Sequence, residues 1–113
     1  MLRRDRIILQ KIISEVDICG EILGDASMGE FLADEKLKRA VSMTIINIGE
    51  LIKNISDEMR LGHKEVPWKE AAGMRDITAH KYQTLRMPDV YNSAKIDLPA
   101  IKEMLQKILN EEF

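Results

Sequence analysis

DEKLKRAVSMTIINIGELIKNISDEM, residues 34–59, decides the fold class. Within it Leu37, Val41, Thr44, Ile45, Ile48, Leu51, Ile52, Ile55 and Met59 recur at spacings of three and four. That period is the wide apolar face of a helix, whereas a strand would alternate. Asp34 has the side chain of an N-cap, so the stretch predicts one long helix of roughly 25 residues.

The same period extends upstream. Ile8, Ile12, Val16, Cys19 and Leu23 form one helical stripe from about residue 4 to about residue 23. Gly24 and Asp25 break it, and Ser27 can cap a short helix through Leu32. Downstream, RLGHKEVP at residues 60–67 has loop composition, with Gly62 suited to a helix stop and Pro67 to the first turn of the next helix. A third helix is predicted from about Pro67 to about Ala79 or Tyr82. Met87, Pro88 and Asp89 open a last helical region bearing Val90, Tyr91, Ala94, Ile96, Ile101, Met104, Leu105, Ile108 and Leu109. Pro99 falls inside it. Either the helix kinks there or Asp97 caps a fresh helix; a kink or short break in one long element is the preferred reading. No internal repeat, low-complexity segment or convincing strand is found. The predicted architecture is all-α: an antiparallel bundle of four to five helices in a single domain over residues 1–113.

Composition agrees. Hydrophobic residues make up 45% of the 113, aromatics 4%, with Gly 6 and Pro 3, a balance that favours helices and supplies a core. The net charge is -2, so the chain as a whole offers no attraction to a polyanion, and any RNA contact must come from a local patch. Cys19 is the one cysteine, which excludes an internal disulfide and a cysteine-rich zinc site; its apolar neighbours suggest a core thiol. No apolar run has signal-peptide or membrane-span character, so a cytoplasmic protein with no membrane partner is expected.

Chemistry concentrates in VPWKEAAGMRDITAHKY, residues 66–82. On a helix Asp76 and His80 share a face at four residues' separation, and Arg75 and Tyr82 share one at seven. Arg75 and His80, five apart, diverge by roughly 140°. To grip one phosphate, either the helix ends near Ala79 or a second subunit supplies the complementary residue. RNA cleavage needs a base for the ribose 2′-hydroxyl, an acid for the leaving oxygen, and positive charge for the phosphorane-like transition state. His80 can fill the first two roles and Arg75 the third. Asp76 can orient the imidazole, and Lys81 and Arg86 can add phosphate affinity. The segment has no cluster of metal ligands, so neither metal nor cofactor is expected. The bland alternative is an exposed helix end of solvated charges.

This stretch resembles the signature of the HepT-like branch of the HEPN superfamily, R-x4-H-x-Y preceded by Pro-Trp and Gly-Met-Arg. Arg75, His80 and Tyr82 occupy the motif positions, and Asp76 stands where the family often has Asn. Asn47, Ile48, Gly49 and Glu50 are similar to the family's Ile-Gly-Glu element, and Asp97, Leu98 and Pro99 resemble its last helix. The resemblance spans essentially the whole chain. It implies a homodimer with both motifs in one interface cleft, acting as a metal-independent endoribonuclease toxin. It also implies an MNT-type nucleotidyltransferase antitoxin that can transfer AMP to Tyr82. The alternative is a catalytically inactive HEPN binding module that partners a nucleotidyltransferase or binds a nucleotide.

Outside that stretch, His63 reads as a solvated surface histidine. Within it, Trp68 reads as a core or interface anchor rather than an RNA-stacking platform. Glu50, a supporting candidate, lies either on the surface or facing the cleft or a buried polar network. Gly49 permits close helix packing, and Arg3, Arg4 and Arg6 read as a solvated helix start that can widen a basic track.

Overall fold

The computed structural model describes residues 3–73 and 86–112. Helix α1, Arg3–Leu23, buries Ile8, Ile12, Val16, Cys19 and Leu23, the stripe expected from the sequence, and Leu9 beside it. Gly24 ends it at φ 55, a left-handed conformation that costs glycine no Cβ clash, and its amide bonds the Gly20 carbonyl at 2.9 Å. Helix α2, Met28–Ala33, starts in a reciprocal cap. Ser27 Oγ accepts from the Glu30 amide at 3.1 Å, and the Glu30 carboxylate accepts from the Ser27 amide at 3.0 Å. Asp34 then closes α2 and opens α3, Glu35–Lys53, accepting from the Leu37 amide at 3.0 Å.

Helix α3 is shorter than its apolar period predicts. It stops at Lys53, and a separate helix α4, Asp57–Gly62, comes after it, so Arg60, Leu61 and Gly62 are helical rather than loop. The cause is a new N-cap. Ser56 has extended backbone, and its Oγ accepts from the Met59 amide at 3.1 Å. The buried Asp5 carboxylate holds Ser56 there, accepting from its amide at 2.9 Å and its hydroxyl at 2.6 Å. Arg60 folds back on the end of α3, donating to the carbonyls of Ile52 at 2.9 Å, Lys53 at 3.1 Å and Ile55 at 3.3 Å. The Ile52 carbonyl also accepts from the Ile55 amide at 3.1 Å, and a cation suits that end of the helix dipole. Asp5→Ala removes both acceptors from Ser56 and is expected to lower stability by about 2–3 kcal/mol, read as a drop in the urea midpoint; Asp5→Asn should lose less.

Helix α5, Trp68–Gly73, begins one residue after Pro67, whose carbonyl accepts from the Ala71 amide at 3.0 Å. The predicted continuation to Ala79 or Tyr82 lies outside the described residues. The last element is continuous. Helix α6, Met87–Asn92, passes through a wide turn, Ser93–Asp97, into α7, Leu98–Glu112, as the one-element reading expects. The Leu98 amide reaches back to the Ser93 carbonyl, five residues away. Proline lacks an N–H and its ring crowds the carbonyl four residues back, so widening the turn just before Pro99 removes both conflicts.

The long helices pack antiparallel. The first turn of α1 meets the end of α3, where Arg4 Nη2 donates to the Asn54 carbonyl at 2.8 Å; Arg4 is therefore a tether, while Arg3 and Arg6 are exposed. Helix α1 also runs against α7, and Lys102 pairs with Asp17 across that seam. Tyr91 on α6 donates to the Ala26 carbonyl at 2.7 Å and lies 5.4 Å, centroid to centroid, from the buried Phe31 ring, which fixes α2. Among the described residues there is no strand, and no helix is long and apolar enough to cross a membrane.

Candidate active site

Helix α5 leads directly into the segment richest in chemistry, and it packs on α3. Trp68, the first residue of α5, is buried, and its indole Nε1 donates to the His63 carbonyl at 2.9 Å. Ala71, one turn on, is fully buried, while Lys69 and Glu70 face outward. An aromatic residue at the helix start, with its polar atom satisfied, holds the helix at its beginning. Trp68 is thus a core anchor.

Arg75, Asp76, His80, Lys81 and Tyr82 all lie outside the described residues, from two positions past Gly73, where α5 ends. Glu50 is described: it is exposed on α3 and lines a hollow with Lys11, Ser14 and Asn47, which excludes the buried-network alternative. Its main-chain carbonyl accepts from Asn54 Nδ2 at 3.0 Å. Gly49 is buried within the chain's own packing. Arg86 is exposed at the start of α6, 3.7 Å from the Asp89 carboxylate.

His63 is not the solvated histidine expected. Its side chain is only 13% exposed, with Nδ1 3.3 Å from Glu65 and Nε2 3.2 Å from Glu112 at the end of α7. A protonated ring donates to both carboxylates, while a neutral ring donates to one. The Glu65 carboxyl titrates below its usual range, through its own backbone amide first and His63 second. Local sequence carries no signal for Glu112, which lies 49 residues away. His63 therefore joins the α4–α5 connection to α7, beside the site's anchor.

Cys19 is fully buried, as a core thiol should be. Burial first, and then the Glu15 carboxylate, push its thiol up to about 11 from an ordinary 9.0. It is held as the neutral, unreactive form and is no nucleophile. A thiol whose pKa rises on folding adds stability below its unfolded value and gives it up as pH climbs from 9 towards 11. The folded chain should resist a thiol reagent at pH 8, and its urea midpoint should fall between pH 8.5 and about pH 10.5 relative to Cys19→Ala.

A family model described as Ribonuclease HepT-like matches residues 12–108. A protein of Caldanaerobacter subterraneus, a candidate RNase by name, is 32% identical over 98% of this chain and 99% of its own length. A Thermococcus cleftensis protein carrying the provisional name ribonuclease HepT is 31% identical over 96% of this chain and 98% of its own. A longer Methanocaldococcus jannaschii protein, named as a gamma-glutamylcyclotransferase and candidate RNase, is 35% identical over 97% of this chain, which spans 50% of it. No solved structure gives a significant match.

Proposed function

The chain belongs to the HepT-like ribonuclease family, and from that premise we propose that it is a metal-independent endoribonuclease, the toxin of a toxin–antitoxin pair. The observation that carries this reading is the family match over residues 12–108, which contains Arg75, His80 and Tyr82 at the spacing R-x4-H-x-Y. The buried Trp68 supports it by fixing the start of the helix from which that segment leaves.

His80 takes the proton of a ribose 2′-hydroxyl, whose oxygen attacks the adjacent phosphorus. The bond to the 5′ oxygen breaks, and that oxygen is protonated by an imidazolium. The products are a cyclic phosphate and a free 5′-hydroxyl. Arg75 spreads two donors over the phosphoryl oxygens as charge builds on them. Two copies of the chain resolve the divergence of Arg75 and His80, since each motif can serve a phosphate together with the other copy's. An MNT-type nucleotidyltransferase restrains the toxin by transferring AMP from ATP to the Tyr82 hydroxyl, releasing pyrophosphate. The new phosphodiester competes for the charge of Arg75 and His80, and the adenosine fills the cleft.

Purified unmodified chain should cut RNA in the presence of EDTA and leave cyclic phosphate ends. Co-expression with its nucleotidyltransferase should add one adenylyl mass to Tyr82 and silence cleavage. An unmodified chain inert towards diverse RNAs would instead mark it as a HEPN binding module.

A further inference from the structure

His63 stands where α4, α5 and α7 meet, and each of its four polar atoms is engaged. Its amide donates to the Met59 carbonyl at 3.1 Å, which closes α4. Its carbonyl accepts from the Trp68 indole at 2.9 Å and from the Val66 amide at 3.3 Å, which shapes the entry to α5. Ring Nδ1 lies 3.3 Å from the Glu65 carboxylate, and Nε2 lies 3.2 Å from that of Glu112 on α7. A hollow of about 170 Å³ opens beside the ring, and Asp5 of α1, Glu58 of α4 and Glu112 also line it. The charged groups facing the imidazole, among the described residues, are therefore Asp5, Glu58, Glu65 and Glu112. Lys107 of α7 is close enough to Glu65 to favour its charged form.

We propose that His63 is a proton-operated clasp that positions Trp68: its imidazolium ties the α4–α5 connection to α7, and loss of the ring proton slackens that tie. With both nitrogens protonated the ring donates to Glu65 and Glu112 at once, and both bonds are charge-assisted. A neutral ring has one N–H for two carboxylates, so its other nitrogen turns a lone pair towards an anion 3.2 or 3.3 Å away. Glu65 stays ionised, because its own backbone amide first and His63 second hold its carboxyl below the usual range. It therefore competes with Glu112 for the remaining hydrogen. Glu65 belongs to the connection itself, whereas Glu112 is the link to another element, so whatever Glu65 takes is lost to the tie. The carbonyl of the same residue holds the Trp68 indole, and slack in the tie reaches the start of α5. Imidazoles exchange their proton between about pH 5 and 8, so the tie is firm at the acid end of that range and slack at the alkaline end. The loosening of Trp68 is a property of the fold alone; only its consequence for cleavage rests on the proposed function.

Trp68 is the one tryptophan of the chain, so its indole reports on the clasp without a label. Hydrogen exchange on the full chain, with each rate divided by the intrinsic rate at the same pH, reads the protection of the indole N–H. That protection should fall roughly three- to tenfold between about pH 5.5 and about pH 8.5, the loss of one charge-assisted bond between part-exposed groups. Tryptophan emission should move to the red over the same range. His80 is the other histidine, so the assignment falls to His63→Gln, which keeps the main-chain carbonyl and does not titrate. Its profile should be flat. Glu112→Ala, at the exposed end of α7, should hold protection at the parent's alkaline level at every pH, with helical circular dichroism unchanged. Glu65→Ala should shrink the step, because a neutral ring then gives its N–H to Glu112. A flat parent profile overturns the inference. So does a step that survives His63→Gln or Glu112→Ala, or one undiminished in Glu65→Ala. No RNA enters the measurement, so its failure is separable from failure of the proposed nuclease.

Discussion

Replacing His80 with alanine is expected to cut the RNA-cleavage rate by about 10²–10⁴-fold, the usual contribution of a positioned acid–base group. In the proposed reaction His80 handles both the 2′-hydroxyl proton and that of the leaving oxygen, so its loss removes both roles. Arg75→Ala should cost about 10²–10³-fold by removing donors aimed at the developing charge. Arg75→Lys separates charge from shape. It keeps the cation but loses the planar fork, and should recover only part of the rate. Thermal unfolding of each variant should match the parent, which separates a chemical defect from a folding one. Cleavage and growth arrest that survive both alanine variants would place the active site elsewhere.

Trp68→Ala is expected to cost about 3–5 kcal/mol of stability, out of a total of about 5–15 kcal/mol for a domain of this kind. The indole is 6% exposed and its N–H is bonded to the His63 carbonyl, so the deletion leaves a void and removes one of the two donors to that carbonyl, the Val66 amide at 3.3 Å being the other. Trp68→Phe keeps most of the volume and should cost about 1 kcal/mol. Urea titration followed by circular dichroism reads both. Activity measured well below the unfolding transition should also fall in Trp68→Ala, because the helix leading to Arg75 loses its anchor. Full activity together with an unchanged midpoint would show that the start of α5 does not position the site.

Most of the helical frame is legible in the sequence because it is written locally. Ser27 as a cap, Asp34 before an apolar run, and Gly24 after one are short-range signals, and each works as read. The break after Lys53 is not legible, and the reason is specific. Ile55 and Met59 continue the apolar period across it because both remain in the core. What stops the helix is Asp5, 51 residues earlier, taking the Ser56 amide. His63 misleads in part for the same reason, since one of its two carboxylate partners, Glu112, lies 49 residues away. The candidate site is carried by the spacing of Arg75, His80 and Tyr82, a pattern sequence displays well. The burial of Trp68 is expected from its size, but the carbonyl that accepts its N–H is fixed by the path of the α4–α5 connection.

The wide turn at Ser93–Asp97 makes the long helix over residues 87–112 unevenly tolerant of changes in length. A regular helix advances 100° per residue, so losing one residue within α7 would swing Leu105 and Ile108 away from the core. Inside the wide turn one residue is surplus to the α-helical count, and its loss would return the turn to ordinary pitch without rotating α7. The ring of Pro99 would then meet the carbonyl four residues before it, and the helix would have to bend there instead. The surplus residue acts as a shim that lets a proline sit in mid-helix while the apolar seams on either side stay aligned.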